Sequence, residues 1–148
     1  MTDAPVEGSP AEASEASEAS IEAQIVEALG TCAERNPDIN NLILKRFYAL
    51  SPHGEATLAH ADEHMLGRMM EQVYAVLMDA NVHGAEGYWR WEVENHVLAY
   101  GVSNSDYPAF FQAVLDVVQE SLGEDWTVPM AQAWHTKIER LLLDSQSP

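Results

Sequence analysis

Histidine is the residue type in this chain best suited to chemistry, because a neutral imidazole binds metal ions and exchanges protons near pH 7. The sequence has six histidines. His96 stands apart because it lies within the stretch "WEVENHVLAYGV", residues 91–102. On a helix, Glu92, Val93 and Tyr100 would share its face through i±3 and i±4 spacing. From spacing alone, a histidine at the edge of a hydrophobic core is favoured over a metal ligand, and both interpretations stay open.

Other groups of reactive side chains indicate a site less clearly. Asp62, Glu63 and His64 are consecutive, but consecutive residues of a helix point apart and form a poor metal cage. The single cysteine, Cys32, excludes a disulfide or a multi-cysteine metal site within the chain. The sequence contains no glycine-rich phosphate loop, nucleophile elbow or HExxH pattern. It therefore gives no positive indication of an enzyme.

The charge balance excludes some classes of partner. The formal net charge is -17, from 7 Lys and Arg against 24 Asp and Glu. Such a surface repels phosphate backbones and anionic lipids, so we expect neither nucleic acid nor a membrane as partner. No window reaches the roughly 18 apolar residues that a bilayer span needs, and no basic and apolar leader opens the sequence. We therefore expect a cytoplasmic protein.

The elements that position these residues are predicted to be helices. Residues 1–19 are mostly Ala, Ser and Glu, a composition that predicts a disordered acidic tail. From residue 20 apolar side chains recur at helical spacing, and no strand-like alternation competes with this period. We expect about seven helices with short connections. The predicted organisation is an all-α domain over residues 20–145 and a short tail over 146–148.

Turn-forming residues mark the predicted helix ends. "NPD" at 36–38 separates the first two helices, and "SP" at 51–52 begins a short third helix. Asp62 and Thr127 are expected to cap later helices at their beginnings, and Gly123 is expected to end the penultimate helix.

In their order and spacing these motifs resemble a bacterial single-domain globin. "NPD" before a helix ending in "FYALSP" is similar to the start of such globins. "HVLAYGVSNSDYPAFFQAVLDVV" is similar to their proximal histidine, Tyr-Gly-Val corner and next helix, and "SLGEDWTVPMAQAW" to their junction into the last helix. The resemblance covers about residues 21–145. It implies a globin-like fold, a bound haem (haem b), and a small gaseous ligand such as oxygen, carbon monoxide or nitric oxide.

The resemblance also implies which residues hold the haem. His96 would be the proximal iron ligand, and its other ring nitrogen would donate to a carbonyl or carboxylate that fixes the ring. The residues implied to line the haem are apolar, apart from one tyrosine. They are Leu44, Leu58, Leu66, Met69, Met70, Val93, Val97, Val102 and Tyr107.

Several positions depart from the globin pattern. Leu58 stands where a phenylalanine usually stacks on the porphyrin, and Leu44 where many bacterial globins have a distal tyrosine. The usual distal glutamine or histidine falls near residues 66–68, where only Arg68 could reach in with a polar group. The distal side is therefore expected to be apolar and to give bound oxygen little hydrogen bonding.

His96 also lies one residue further from Tyr107 than in the commonest globin pattern. If the loop of the "LAYGV" corner accommodates the extra residue, His96 points into the haem pocket. Otherwise Val97 takes the ligand position, and His96 points about 100° away. In flavohaemoglobin-type globins, a tyrosine at the Tyr107 position acts with a glutamate of the last helix. Because Pro129 stands at the glutamate position here, peroxidase-like or dioxygenase-like activation is disfavoured.

Two alternatives to a haem protein stay open. The departures favour a haem-free globin fold that serves as a sensor or a protein-interaction module, with the aromatic cluster at 88–91 as a partner surface. A homodimer is the second alternative, because globins commonly pair through their last two long helices. Phe110, Phe111 and Trp134 could serve in such a pair.

For the remaining histidines and the cysteine, the sequence predicts only whether each side chain is exposed or buried. We expect His60, His64, His83 and His135 to be solvated surface residues, although His60 or His64 could swing in as a sixth iron ligand. Cys32 is expected to be buried on the apolar face of the first helix.

Overall fold

The computed structural model describes residues 10–78 and 106–146, and the side chains of 19–78 and 106–143. These residues form six α-helices and one 3-10 turn, Gly123–Asp125, and contain no strand. The predicted all-α class is therefore confirmed for the described part of the chain. The helices are α1 (Pro10–Arg35), α2 (Ile39–Leu50), α3 (Pro52–Leu58), α4 (Glu63–Met78), α5 (Asp106–Leu122) and α6 (Val128–Gln146).

The first helix is longer than the apolar periodicity predicted. α1 begins at Pro10, whereas the periodicity placed its beginning at residue 20. Ala and Glu, which are frequent in residues 10–19, have high helix propensity, and proline is tolerated in a first turn. Apolar periodicity did not predict this part because residues 10–19 contain no large apolar side chain. Residues 1–9 and 147–148 lie outside the described residues.

α5 is the most deeply buried helix of the described fold. Its buried side chains include Phe110, Phe111, Val114 and Val118, together with Val117 on another side. A helix that is apolar on most sides belongs inside a core. α5 accordingly packs against α1, α2 and α6, while α1 also packs against α4 and α6. The result is one hydrophobic cluster to which α1, α2, α4, α5 and α6 all contribute.

The burial of three aromatic residues corrects one expectation. Phe110, Phe111 and Trp134 are 8%, 1% and 0% exposed and belong to the hydrophobic cluster. Their side chains are therefore not available as an exposed dimer surface. Aromatic residues at helical spacing fit a core as well as an interface, and only the packing of the helices separates the two roles.

The face of α2 that packs into the core differs from the face predicted from its apolar residues. Helical spacing predicts an apolar side made of Ile39, Leu42, Ile43, Phe47 and Leu50. Ile43 and Phe47 are buried, but Leu42 and Leu50 are 41% and 45% exposed. These two leucines share an i, i+4 row with Arg46, which pairs with Asp116 and Glu120 of α5 at the surface. Leu42 and Leu50 therefore lie near solvent, beside the ion pairs that Arg46 makes at the surface.

Most predicted helix ends are confirmed by their capping geometry. The backbone N–H of Gly54 donates to Ser51 Oγ at 2.9 Å, and that of Met65 donates to Asp62 Oδ1 at 2.8 Å. The N–H of Met130 donates to Thr127 Oγ1 at 3.2 Å. Gly123 has a φ of 53°, the left-handed conformation that ends a helix at low cost for glycine.

The length and hydropathy of the described helices can be compared with those of a membrane-spanning helix. Across residues 10–78 and 106–146, no helix combines the length and the apolar character that a bilayer crossing requires.

Candidate functional site

The predicted haem-lining residues that the structure describes all lie in or against the one hydrophobic cluster. Leu44, Met70 and Tyr107 are members of it and are at most 9% exposed. Leu58, Leu66 and Met69 are half-buried and pack against it. The six side chains come from four helices, α2, α3, α4 and α5. The structure therefore places this part of the predicted set on one continuous apolar region.

The rest of the predicted set lies outside the described residues, in the segment 79–105. This part contains His96, which is the predicted iron ligand, and Val93, Val97 and Val102. The aromatic cluster at 88–91 lies there too. The segment connects α4, which ends at Met78, to α5, which begins at Asp106. Both flanking helices carry predicted lining residues.

The four described histidines are all exposed. His60, His64 and His135 are surface residues, as predicted, and His53 is 60% exposed at its side chain. Arg68 is exposed as well, so it does not reach into the cluster. Within the described ranges, no group of three or more His, Cys, Asp or Glu residues could hold a metal ion.

A buried carboxylate, which the sequence did not single out, joins α5 to the beginning of α3. Asp106 is 4% exposed. Ser51 Oγ donates to Asp106 Oδ1 at 3.1 Å, and His53 Nδ1 lies 3.0 Å from Oδ2. Because a carboxylate only accepts, His53 Nδ1 carries the proton of this bond. The sequence signal was modest: an acidic residue in the first turn of a helix, where the helix dipole favours negative charge.

The order of contacts around Asp106 argues against nucleophilic catalysis. In a Ser-His-Asp triad, the histidine lies between the hydroxyl and the carboxylate. Here the carboxylate lies between Ser51 and His53, and Ser51 Oγ also accepts the N–H of Gly54. This group of three side chains therefore fixes the beginning of α3 against α5.

Two open clefts flank α2. The first, which we call the α2–α4 cleft, has a volume of about 420 Å³ and lies between α2, α3 and α4. It is lined by Asn41, Leu44, Lys45, Tyr48, Ala49, Glu55 and Leu66. The second has a volume of about 510 Å³ and lies between α2 and α5, where Lys45, Arg46 and Glu120 line it. Leu44 and Leu66 belong both to the α2–α4 cleft and to the predicted haem-lining set.

Two tyrosines near these helices are held in the neutral form. Burial raises the pKa of Tyr74, and Cys32 adds a smaller electrostatic contribution. The Tyr74 hydroxyl donates to Asn40 Oδ1 at 2.6 Å. Burial also raises the pKa of Tyr48, with the Glu55 carboxylate as a second cause. Cys32 itself is fully buried, as predicted.

Comparison with known proteins does not assign this chain to a family. No protein-family model matches the chain, and no curated protein matches it. The resemblance to globins therefore depends on the sequence motifs quoted above.

Proposed function

We propose that this chain binds haem in a globin-like fold and coordinates a small gas at iron held by His96. The observation that carries the proposal is the common location of the six described lining residues. They come from separate parts of the sequence and lie in or against one apolar cluster. The pairing of α1 with α6 and of α2 with α5 also agrees with the pairwise helix packing of globins.

In the proposed complex, apolar side chains of the described residues would contact the faces of the porphyrin. Leu44, Leu66 and Met70 offer apolar contact and would keep water from the iron. A bound haem supplies an iron atom with an open coordination position for the gas. Because His64 and Arg68 are exposed, neither offers a hydrogen bond inside this region. We therefore expect modest oxygen affinity, with binding of carbon monoxide or nitric oxide retained.

The described histidines strengthen the case for His96 by elimination. Four of the six histidines are exposed on described helices or their connections. The other two are His83 and His96, both in the segment 79–105. Of this pair, His96 alone stands in the globin-like motif "HVLAYGV".

Absorption spectroscopy of the protein made with adequate haem tests the proposal. We expect a Soret band in the unchanged chain, and its loss in His96→Ala with helicity retained in circular dichroism. His135→Ala is the matched control, because His135 is an exposed histidine of α6, and its Soret band should remain. A Soret band that survives unchanged in His96→Ala would remove His96 as the ligand.

A haem-free globin-like sensor or interaction module is the second candidate function. It is favoured by the burial of Met70 and Leu44, which are 0% and 5% exposed through contacts with protein atoms alone. These two side chains are therefore buried without a bound haem. Binding of added haemin to the purified chain distinguishes the two functions.

A further inference from the structure

We propose that the α2–α4 cleft binds a small zwitterion with an apolar side chain, such as an aliphatic α-amino acid. The proposal applies to the chain without haem, because Leu44 and Leu66 line this cleft and also belong to the predicted haem-lining set. It rests on the floor of the cleft, on two opposite charges at its rim, and on Tyr48, which lines the cleft with them.

The floor of the cleft is apolar. Leu44 is 5% exposed, Leu66 is half-buried, and the Tyr48 ring is half-buried beside them. The volume of about 420 Å³ lies within the roughly 300–1,000 Å³ typical of small-molecule sites. An aliphatic side chain would cover part of this floor and remove it from water.

The rim carries two opposite charges that do not pair with each other. Lys45 of α2 and Glu55 of α3 both line the cleft and are exposed. Among the described residues, no ion pair within 4.0 Å includes either of them. The neighbouring Arg46, by contrast, pairs with both Asp116 and Glu120. A lysine without a carboxylate partner is notable in a chain with 24 acidic and 7 basic residues.

The chemistry of the rim selects a ligand that carries both charges. Lys45 suits a carboxylate, and Glu55 suits an ammonium group. Burial raises the pKa of the Tyr48 phenol, and the Glu55 carboxylate adds a smaller contribution, so Tyr48 keeps its proton and offers a donor. A ligand with one charge would pair with only one of these two side chains and would leave the other charge without a partner.

Titration with L-leucine, followed by NMR of the full chain, tests the inference. Two comparison probes each carry one charge on the same aliphatic body: 4-methylpentanoate and 3-methylbutylamine. We expect saturable shifts at Leu44 and Leu66 with leucine. We expect leucine to bind about five-fold more tightly than either probe, the effect of one exposed charge contact.

Charge-removing variants provide the specificity test. Lys45→Gln should remove the advantage of leucine over 3-methylbutylamine, because only the ammonium contact then remains. Glu55→Gln should remove its advantage over 4-methylpentanoate, because only the carboxylate contact then remains. Arg68→Gln and Glu71→Gln are matched controls, because both residues are exposed on α4 and do not line the cleft, so leucine binding should remain. The inference is overturned if leucine gives no saturable shifts at the cleft, or if it binds no better than the probes. Equal effects of the control variants would also overturn it.

Discussion

At the scale of single residues, the best-defined polar feature is Asp106. A buried carboxylate costs free energy unless it accepts hydrogen bonds, and Asp106 accepts them from Ser51 and His53. Ser51 lies 55 residues away in the sequence and also caps α3. One side chain therefore links the beginning of α5 to the beginning of α3, which ends at the predicted haem-lining residue Leu58.

Removal of this carboxylate should destabilise the fold. Asp106→Ala leaves the buried Ser51 hydroxyl without its acceptor, so we expect a loss of about 1–3 kcal/mol in the free energy of unfolding, measured by urea denaturation. Asp116→Ala is the control, because Asp116 belongs to a partly exposed ion pair with Arg46 and should cost less than about 1 kcal/mol. Equal losses in the two variants would contradict a special role for Asp106.

At the scale of helices, the contact between α2 and α3 is set by an aromatic ring that lies on a glycine. A Cβ atom added to Gly54 would lie 2.2 Å from Cζ of Phe47. The Phe47 ring is 3% exposed and makes an edge contact with Phe110, with centroids 5.0 Å apart. Because the ring is held from the other side by α5, it has little room to move away.

Gly54→Ala should therefore destabilise the protein although alanine favours helices. We expect a loss of about 1–3 kcal/mol from overpacking, seen as a lower midpoint in urea denaturation. Gly30→Ala in α1 is the matched control, because a Cβ there meets no atom within 4 Å. That variant should gain about 0.5–1 kcal/mol from helix propensity. A neutral or stabilising Gly54→Ala would show that α3 can shift from Phe47 at little cost.

The bond between Tyr74 of α4 and Asn40 of α2 gives these helices a pH-dependent link. Burial raises the pKa of Tyr74 above its ordinary value of 10.0, so the folded state holds the phenolic proton more tightly than the unfolded state. The stabilising contribution is complete below about pH 10 and is lost as the pH rises towards the folded-state pKa.

Alkaline denaturation of Tyr74→Phe tests this link. Between about pH 10 and 12, one such tyrosine lowers the free energy of unfolding by up to about 1.4 kcal/mol per pH unit. We expect a shallower decline in Tyr74→Phe than in the unchanged chain. Tyr48→Phe should change the slope less, because Tyr48 is less buried and its pKa is raised less. Identical slopes for Tyr74→Phe and the unchanged chain would contradict the assignment.

At the scale of the whole molecule, stability and haem binding should be linked. A ligand that binds only the folded chain raises its free energy of unfolding by RT ln(1 + [L]/Kd). The described members of the predicted haem-lining set come from four helices and lie in or against one cluster, so the haem site should exist only when these helices are assembled. Thermal stability therefore reports on the proposed function.

Thermal denaturation with and without haemin measures this linkage. We expect haemin at a free concentration 100 times Kd to add about 2.7 kcal/mol to the free energy of unfolding. His96→Ala should lose most of this gain, and iron-free protoporphyrin IX is the control that separates iron ligation from apolar contact. A melting temperature that does not respond to haemin favours the haem-free alternative.

Much of the fold could be predicted from local pattern. The apolar residues that recur at helical spacing in α5 and α6 are mostly buried, from Phe110 to Leu122 and from Met130 to Leu141, whereas the burial of Lys137 departs from this pattern. Asp62, Thr127 and Gly123 mark helix ends because caps act within a few residues of themselves. The exposure of Leu42 and Leu50 was not predictable in this way, because it depends on how α2 packs against the other helices.

The sequence by itself determined that the described chain is helical, where most of its helices end, and which residues of α5 and α6 are buried. These properties depend on neighbours within about a helical turn or on the preference of apolar side chains for a core. Only the tertiary structure decided that Asp106 is buried between Ser51 and His53, and that Lys45 and Glu55 border one cleft. Those relations join residues far apart in the chain, and their energies exist only after the helices have packed.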